Sequence, residues 1–282
     1  MGVAWGLRFH LRRRRWWWTA AGRRARLLFG SLLAAEGWVR WGVVGDHQPS
    51  PPEHAVRDGV CGYRRFMRTA WIAGGSGLVG AHLLTLLLED AEFGKVISLG
   101  RRQLDIQSSK LVQQTVDFAA LDAAGLAAPE VAFCALGTTI GKAGSQQAFR
   151  AVDHDAVLAF ARAALAAGAR CFVLVSSLGA DAESRIFYNR VKGETEAELR
   201  TLGFVSLLIA QPSLLLGDRA ESRPAERAMI VASRFLGSAL KPFASRPIEA
   251  HVVARALLVM ARDAAPGARV YPSAELQRLG GG

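Results

Sequence analysis

Cysteine is scarce. The 282-residue chain has three, Cys61, Cys134 and Cys171, and no two stand in C-x-x-C spacing. That excludes a cysteine-based metal cluster or a disulfide framework. Cys134 and Cys171 fall in apolar runs, which predicts buried, reduced thiols and a cytoplasmic protein. No His, Cys or Asp cluster has metal-ligand spacing, so no metal is expected. No apolar run is long enough to span a bilayer. After residue 68 there is neither an internal repeat nor a low-complexity tract. Lysine is absent from the first 68 residues, which hold 13 Arg and 4 acids, so +9 of the net +11 sits there. The other 214 residues carry only +2. The basic charge therefore does not belong to the main domain, and nucleic acid is not an expected partner.

The first 66 residues lack a persistent hydrophobic period. Arg12 to Arg15 run directly into Trp16, Trp17 and Trp18, and six of the seven tryptophans precede Trp71. Gln48-Pro49-Ser50-Pro51-Pro52 has the composition of a linker. Three readings compete. The segment is a membrane-surface element, or a signal sequence built on Leu27 to Ala35, or a stretch outside the natural fold. The second lacks a clear small-x-small cleavage site and is interrupted by Gly30, Ser31 and Glu36. The all-Arg, Trp-rich composition favours the third, since it resembles translated upstream sequence from a GC-rich genome, with Met67 as the start. Membrane contact is expected only if the segment is natural. The organisation read from this is an extension over 1–66, a domain over 67–265 and a tail over 266–282.

What is present begins at Thr69. Thr69-Ala70-Trp71-Ile72-Ala73 reads as a strand, and Gly74-Gly75-Ser76-Gly77-Leu78-Val79-Gly80 as a turn into a helix. Gly74, Gly77 and Gly80 are spaced G-x-x-G-x-x-G. The first glycine permits a tight turn, the second a close backbone approach by a diphosphate, the third close helix-strand packing. The helix start, through Ser76, Leu78 and Val79, points N–H groups and the positive dipole end at the phosphates. A glycine triplet alone is also compatible with a plain strand-to-helix turn.

From there strands and helices alternate. Strands are expected at 95–99, 111–116, 131–136, 171–175 and 205–210. Helices are expected at 78–88, 146–167, 185–202, 225–240 and 248–260. Nearly continuous apolar strands with helices between them predict an α/β fold, a doubly wound parallel sheet covered on both faces. Ligands of such sheets sit at the carboxyl ends of the strands.

The second strand ends Leu99-Gly100-Arg101-Arg102. An acid here would take a ribose 2′-hydroxyl. Two arginines instead suit a 2′-phosphate, so NADP(H) is favoured over NAD(H). Asp117 and Phe118 are candidates to line the adenine, although an Asp after a strand is often a helix cap. Tyr188 and Lys192 are four apart in a helical stretch and share one face. An ammonium beside a phenol favours the phenolate, and such a tyrosine passes protons to or from an alcohol or carbonyl oxygen. Ser177, at the end of the fifth strand, is placed to hydrogen-bond the same oxygen. With 3 Tyr and 5 Lys in the chain, a chance Y-x-x-x-K is rare. An ordinary surface pair is the alternative.

The glycine turn, Ser176-Ser177 and the Tyr188…Lys192 pair together resemble the short-chain dehydrogenase/reductase superfamily. Further stretches resemble its atypical branch that includes the Tat-interacting protein TIP-thirty. These are Ser98 to Arg102, Val116-Asp117-Phe118, Phe133 to Thr139, Gly141 to Gly144, Val191 to Glu194 and Asp218 to Pro224. The resemblance covers roughly 69–265. It implies a Rossmann domain binding NADP(H), a small C-terminal substrate-side region and a Ser177–Tyr188–Lys192 reductase site. It also implies that Leu136, Gly137 and Thr138 pass the nicotinamide-side ribose, with Lys192 holding that ribose. Gln211-Pro212 departs from the Arg-Pro that relatives often carry. The branch holds enzymes and nucleotide-binding regulators, so two functions follow: hydride transfer between NADP(H) and a carbonyl or alcohol, or regulation through a protein partner. Neither names the substrate.

Overall fold

The computed structural model describes residues 67–217 and 246–281. The extension over 1–66 and the helix expected at 225–240 lie outside the described residues. The chain enters through β1 (Arg68–Ala73), α1 (Leu78–Glu89), β2 (Phe93–Gly100), β3 (Leu111–Thr115) and a 3₁₀ turn at Phe118–Ala120. It continues through β4 (Val131–Cys134), α2 (Ile140–Ala143), α3 (Gln146–Arg150), a π-turn at Ala151–Asp155 and α4 (Ala156–Ala166). Then come β5 (Cys171–Val175), α5 (Phe187–Thr201), β6 (Ser206–Gln211) and β7 (Leu215–Leu216). The last elements are β8 (Ile248–Glu249), α6 (Ala250–Arg262), β9 (Gly267–Pro272) and α7 (Ser273–Gly280).

Seven strands form one sheet in the order β3-β2-β1-β4-β5-β6-β9, parallel throughout. The order reverses between β1 and β4, and the crevice outside their carboxyl ends is the ligand position of such sheets. Strand pleating divides the core in two. Along β1, Ala70 and Ile72 face an apolar layer with Leu83, Leu84, Val253 and Leu257. Trp71 and Ala73 face the other layer, with Phe160, Phe172 and Leu207. The buried Trp71 indole still donates to Ala127 O at 2.9 Å, so its N–H is not stranded.

Two expectations change. The helix read over 146–167 is not one α-helix: α3 and α4 are joined by the π-turn, where Ala156 N–H reaches back to Ala151 O. Propensity over an alanine-rich run does not register one extra residue in a turn. The stretch 266–282 is not a tail. β9 pairs with β6 from Ser206↔Gly267 to Gln211↔Pro272. As an edge strand it exposes most of its residues, so it lacked the apolar run that marks the inner strands.

Candidate functional site

The glycine turn is shaped by contacts as much as by any ligand. Gly74 has φ +88°, and a Cβ there would lie 2.5 Å from the carbonyl carbon and oxygen of Ala135. A Cβ on Gly80 would lie 2.1 Å from Gly74 O, so only glycine lets α1 descend onto the turn. Gly77 is less crowded, its nearest neighbour being Gly74 O at 3.1 Å. Gly77 is also the N-cap of α1, where no side chain caps the helix and no acid stands in the first turn. The N–H groups at Leu78, Val79 and Gly80 thus open a twelve-residue helix beside exposed Ser76. A diphosphate fits here: bare backbone, a tight turn and an uncapped positive helix end.

Beyond Gly100, the end of β2, Arg101 and Arg102 are both exposed. Asp117 caps the 3₁₀ turn, its Oδ1 accepting from Ala119 N–H at 3.0 Å. Phe118 is buried and packs into the core layer that holds Trp71. The structure thus gives both residues a structural task at the expected adenine position.

The loop after β4 links the turn to the proton-transfer candidates. Ala135 presses on Gly74, and Leu136 packs onto the core layer behind β4. A Cβ on Gly137 would stand 3.4 Å from Asp153 Oδ1 and 3.8 Å from Lys192 Nζ. Thr138 N–H donates to Asp153 Oδ2 at 2.8 Å.

Ser176 and Ser177 follow β5. Ser177 Oγ donates to Leu178 O at 3.4 Å, a long bond that a better acceptor can replace. The segment from Ser177 to Tyr188 is held on α5: Asp181 N–H donates to Asn189 O at 3.0 Å, and a Cβ on Gly193 would lie 2.1 Å from Ala182 N. Tyr188 is half-buried, with its ring centroid 5.3 Å from that of buried Phe149.

Lys192 is buried, and Nζ lies 2.7 Å from Asp153 Oδ1. Burial by itself would lower its pKa. The Asp153 charge beside it turns the balance upward, so the ammonium stays protonated. Nearby Cys134 moves the other way in charge. Burial pushes its thiol up to about 12, against the Leu136 backbone hydrogen bond and the Lys192 charge.

Asp153 was missed in the sequence, although a signal was there. It stands four residues after Phe149 and four before Val157, on the apolar stripe of the helix. An acid on such a stripe is out of place unless paired. A second buried acid, Glu196, follows Lys192 by one turn. Its carboxylate accepts from Ser176 Oγ at 2.5 Å and from Gln211 Nε2 at 2.9 and 3.1 Å. Gln211, the departure from Arg-Pro, thus ties β6 to α5.

A parallel doubly wound sheet with a glycine turn at β1 and a Ser, Tyr-x-x-x-Lys set beyond β5 defines a short-chain dehydrogenase/reductase type of protein. No family model matches the chain. It is 42% identical to Protein HTATIP2 of Rattus norvegicus over 183 residues, 63% of this chain and 74% of the relative. It is 34% identical to "Protein fmp52, mitochondrial" of Aspergillus fumigatus over 226 residues, 76% of this chain and 96% of the relative. The chain belongs to the HTATIP2/fmp52 family, an atypical branch of the short-chain dehydrogenases/reductases. Among solved structures, MoeE5 in complex with UDP-glucose and NAD matches with a TM-score of 0.55 at 16% identity, covering 74% of this chain and 80% of that one. A human epimerase family protein, SDR39U1, with NADPH matches at 0.51 and 16%, covering 72% and 74%. These two share the fold. The expectation of a cytoplasmic protein is corrected: several fmp52 relatives carry "mitochondrial" in their names. Reduced, buried cysteines do not separate the cytosol from other reducing interiors, so the thiol argument had no power to choose.

Proposed function

We propose that this chain is an NADP(H)-dependent oxidoreductase that transfers a hydride between the nicotinamide and a carbonyl or alcohol carbon. One observation carries the reading: the β4 loop lies against the Gly74 turn through Ala135 and is bonded through Thr138 N–H to Asp153, the partner of Lys192, which supports a dinucleotide cradle and a proton-transfer set along one edge. Structural neighbours solved with NAD and with NADPH support a nicotinamide cofactor. When bound, that cofactor supplies or accepts the hydride. The chain does the rest. Ser177 Oγ orients the substrate oxygen. Tyr188 gives that oxygen its proton during reduction or removes it during oxidation. Lys192 favours the phenolate by its charge and holds the nicotinamide-side ribose with Leu136, Gly137 and Thr138. Arg101 and Arg102 take the 2′-phosphate, while the N–H groups of Ser76 to Gly80 take the diphosphate.

Fluorescence titration of the full chain with NADPH and NADH tests the cofactor. NADPH is expected to bind more tightly, and Arg101→Ala with Arg102→Ala to weaken it about tenfold while leaving NADH unchanged. Equal parental affinities overturn the 2′-phosphate assignment. Tyr188→Phe is expected to bind NADPH as the parent does and to lose turnover roughly a hundredfold or more on a carbonyl found by screening. Turnover that survives removes Tyr188 from the chemistry. We further propose a mitochondrial location, on the names of the fmp52 relatives. In fractionated cells the full chain is expected with mitochondria, and recovery in the soluble cytosol alone refutes this.

A further inference from the structure

A buried acid remains without a role in that scheme. Asp153 has no solvent exposure. Oδ2 is satisfied by Thr138 N–H, and Oδ1 accepts from Lys192 Nζ at 2.7 Å, a charge-assisted hydrogen bond. The residue stands in the π-turn, and Thr195 Oγ1 of α5 shares its proton between Val191 O at 2.8 Å and the Asp153 carbonyl at 3.1 Å. The turn is therefore tied to the helix that carries Lys192. We propose that Asp153 is the dedicated counter-ion of Lys192: it keeps the buried ammonium charged and fixes it to the β4 loop, a positioning residue beside Ser177 and Tyr188.

The titratable groups facing Lys192 are Asp153 from the π-turn, Cys134 from the end of β4 and Tyr188 from its own helix. Cys134 is a neutral thiol at physiological pH. Glu196, one turn further, is engaged by Ser176 and Gln211. Asp153 is thus the carboxylate opposite the lysine. Without it, burial acts unopposed, and a buried lysine gives up its proton towards neutral pH. A neutral amine exerts no charge on a phenol one helical turn away. The pair also explains why an acid occupies an apolar stripe: removing one member strands the other in the core. What the charged lysine does for turnover rests on the function proposed above, while the counter-ion relation does not.

The chain has five lysines, so isotope-labelled lysine Cε gives few resonances, and Lys192→Met assigns the one required. In the full-length parent this resonance is expected to stay at its charged position through the neutral and mildly alkaline range. In Asp153→Asn, which keeps an oxygen for Thr138 N–H, it is expected to titrate at least about one pH unit below the other four, a tenfold fall in the ratio of charged to neutral amine at a given pH. Titration together with the others overturns the proposal. NADPH affinity of Asp153→Asn should fall as pH rises while the parent's stays level. A parent that binds no NADPH refutes the proposed function and leaves the lysine titration to decide the counter-ion. If Asp153→Asn does not fold, the double variant Asp153→Asn, Lys192→Met, which removes both charges, is expected to fold. A double variant as unstable as the single one shows that Asp153 is only a packing residue and overturns the proposal.

Discussion

At the scale of single residues, Gly74 and Gly77 look alike in the sequence and differ in the fold. Gly74 is in the left-handed region and against the Ala135 backbone, whereas Gly77 has an ordinary φ of −81° and a single close neighbour. Gly74→Ala carries both backbone strain and a clash that no side-chain rotation relieves. It is expected to cost about 2 kcal/mol or more in thermal unfolding and to abolish NADPH binding. Gly77→Ala is expected to keep the fold and weaken binding only. Equal loss of stability in the two variants contradicts this division. Arg101 and Arg102 illustrate the reverse case. Their chemistry is visible in the sequence, and their exposure beyond β2 adds only that a phosphate can reach them.

At the scale of elements, α5 is the organising helix. Tyr188, Lys192 and Glu196 follow one another at four-residue spacing, so they rise along one face. Each meets a different neighbour: Phe149 at the ring of Tyr188, the π-turn at Lys192, and the ends of β5 and β6 at Glu196. Glu196 therefore sets the distance between the helix carrying Tyr188 and the strand end carrying Ser177. Glu196→Ala leaves the Ser176 hydroxyl and the Gln211 amide without their acceptor, at a cost of about 2 kcal/mol. Calorimetry is expected to show that loss, with turnover reduced and NADPH affinity retained, while Glu196→Gln keeps most of both. A Glu196→Ala protein as stable as the parent contradicts the clamp. The Arg150–Glu194 ion pair and a hydrogen bond between His154 Nε2 and Glu198 Oε1 at 2.9 Å fasten the π-turn segment to the same helix.

At the scale of the whole molecule, β9 and α7 close the sheet. Tyr271 and Leu276 are buried, and a Cβ on Gly280 would lie 1.9 Å from Val252 O, so α7 lies directly on α6. Removing residues 266–282 strips the outer edge of β6 of its partners and uncovers apolar surface on α6. The fragment 67–265 is expected to aggregate and to lose cooperative unfolding, followed by circular dichroism and size-exclusion chromatography, whereas 67–282 unfolds in one transition. A cooperative 67–265 fragment refutes the closing role of β9.

The sequence by itself determined the parallel α/β architecture, because inner strands buried on both faces must be nearly continuous apolar runs, and β5 fell on its residues to the end. It determined the glycine turn and the spacing of Tyr188 and Lys192, since both are local: a turn and one helical repeat. Only the tertiary structure decided which residue answers Lys192. Asp153 lies 39 positions away, and its carboxylate reaches the lysine only because two helices and a widened turn bring them together. The same holds for Glu196 with Ser176 and Gln211, and for β9, whose pairing with β6 joins segments about sixty residues apart. Local propensity and periodicity see a few turns of chain. Burial of a charge, and what neutralises it, is settled across the fold.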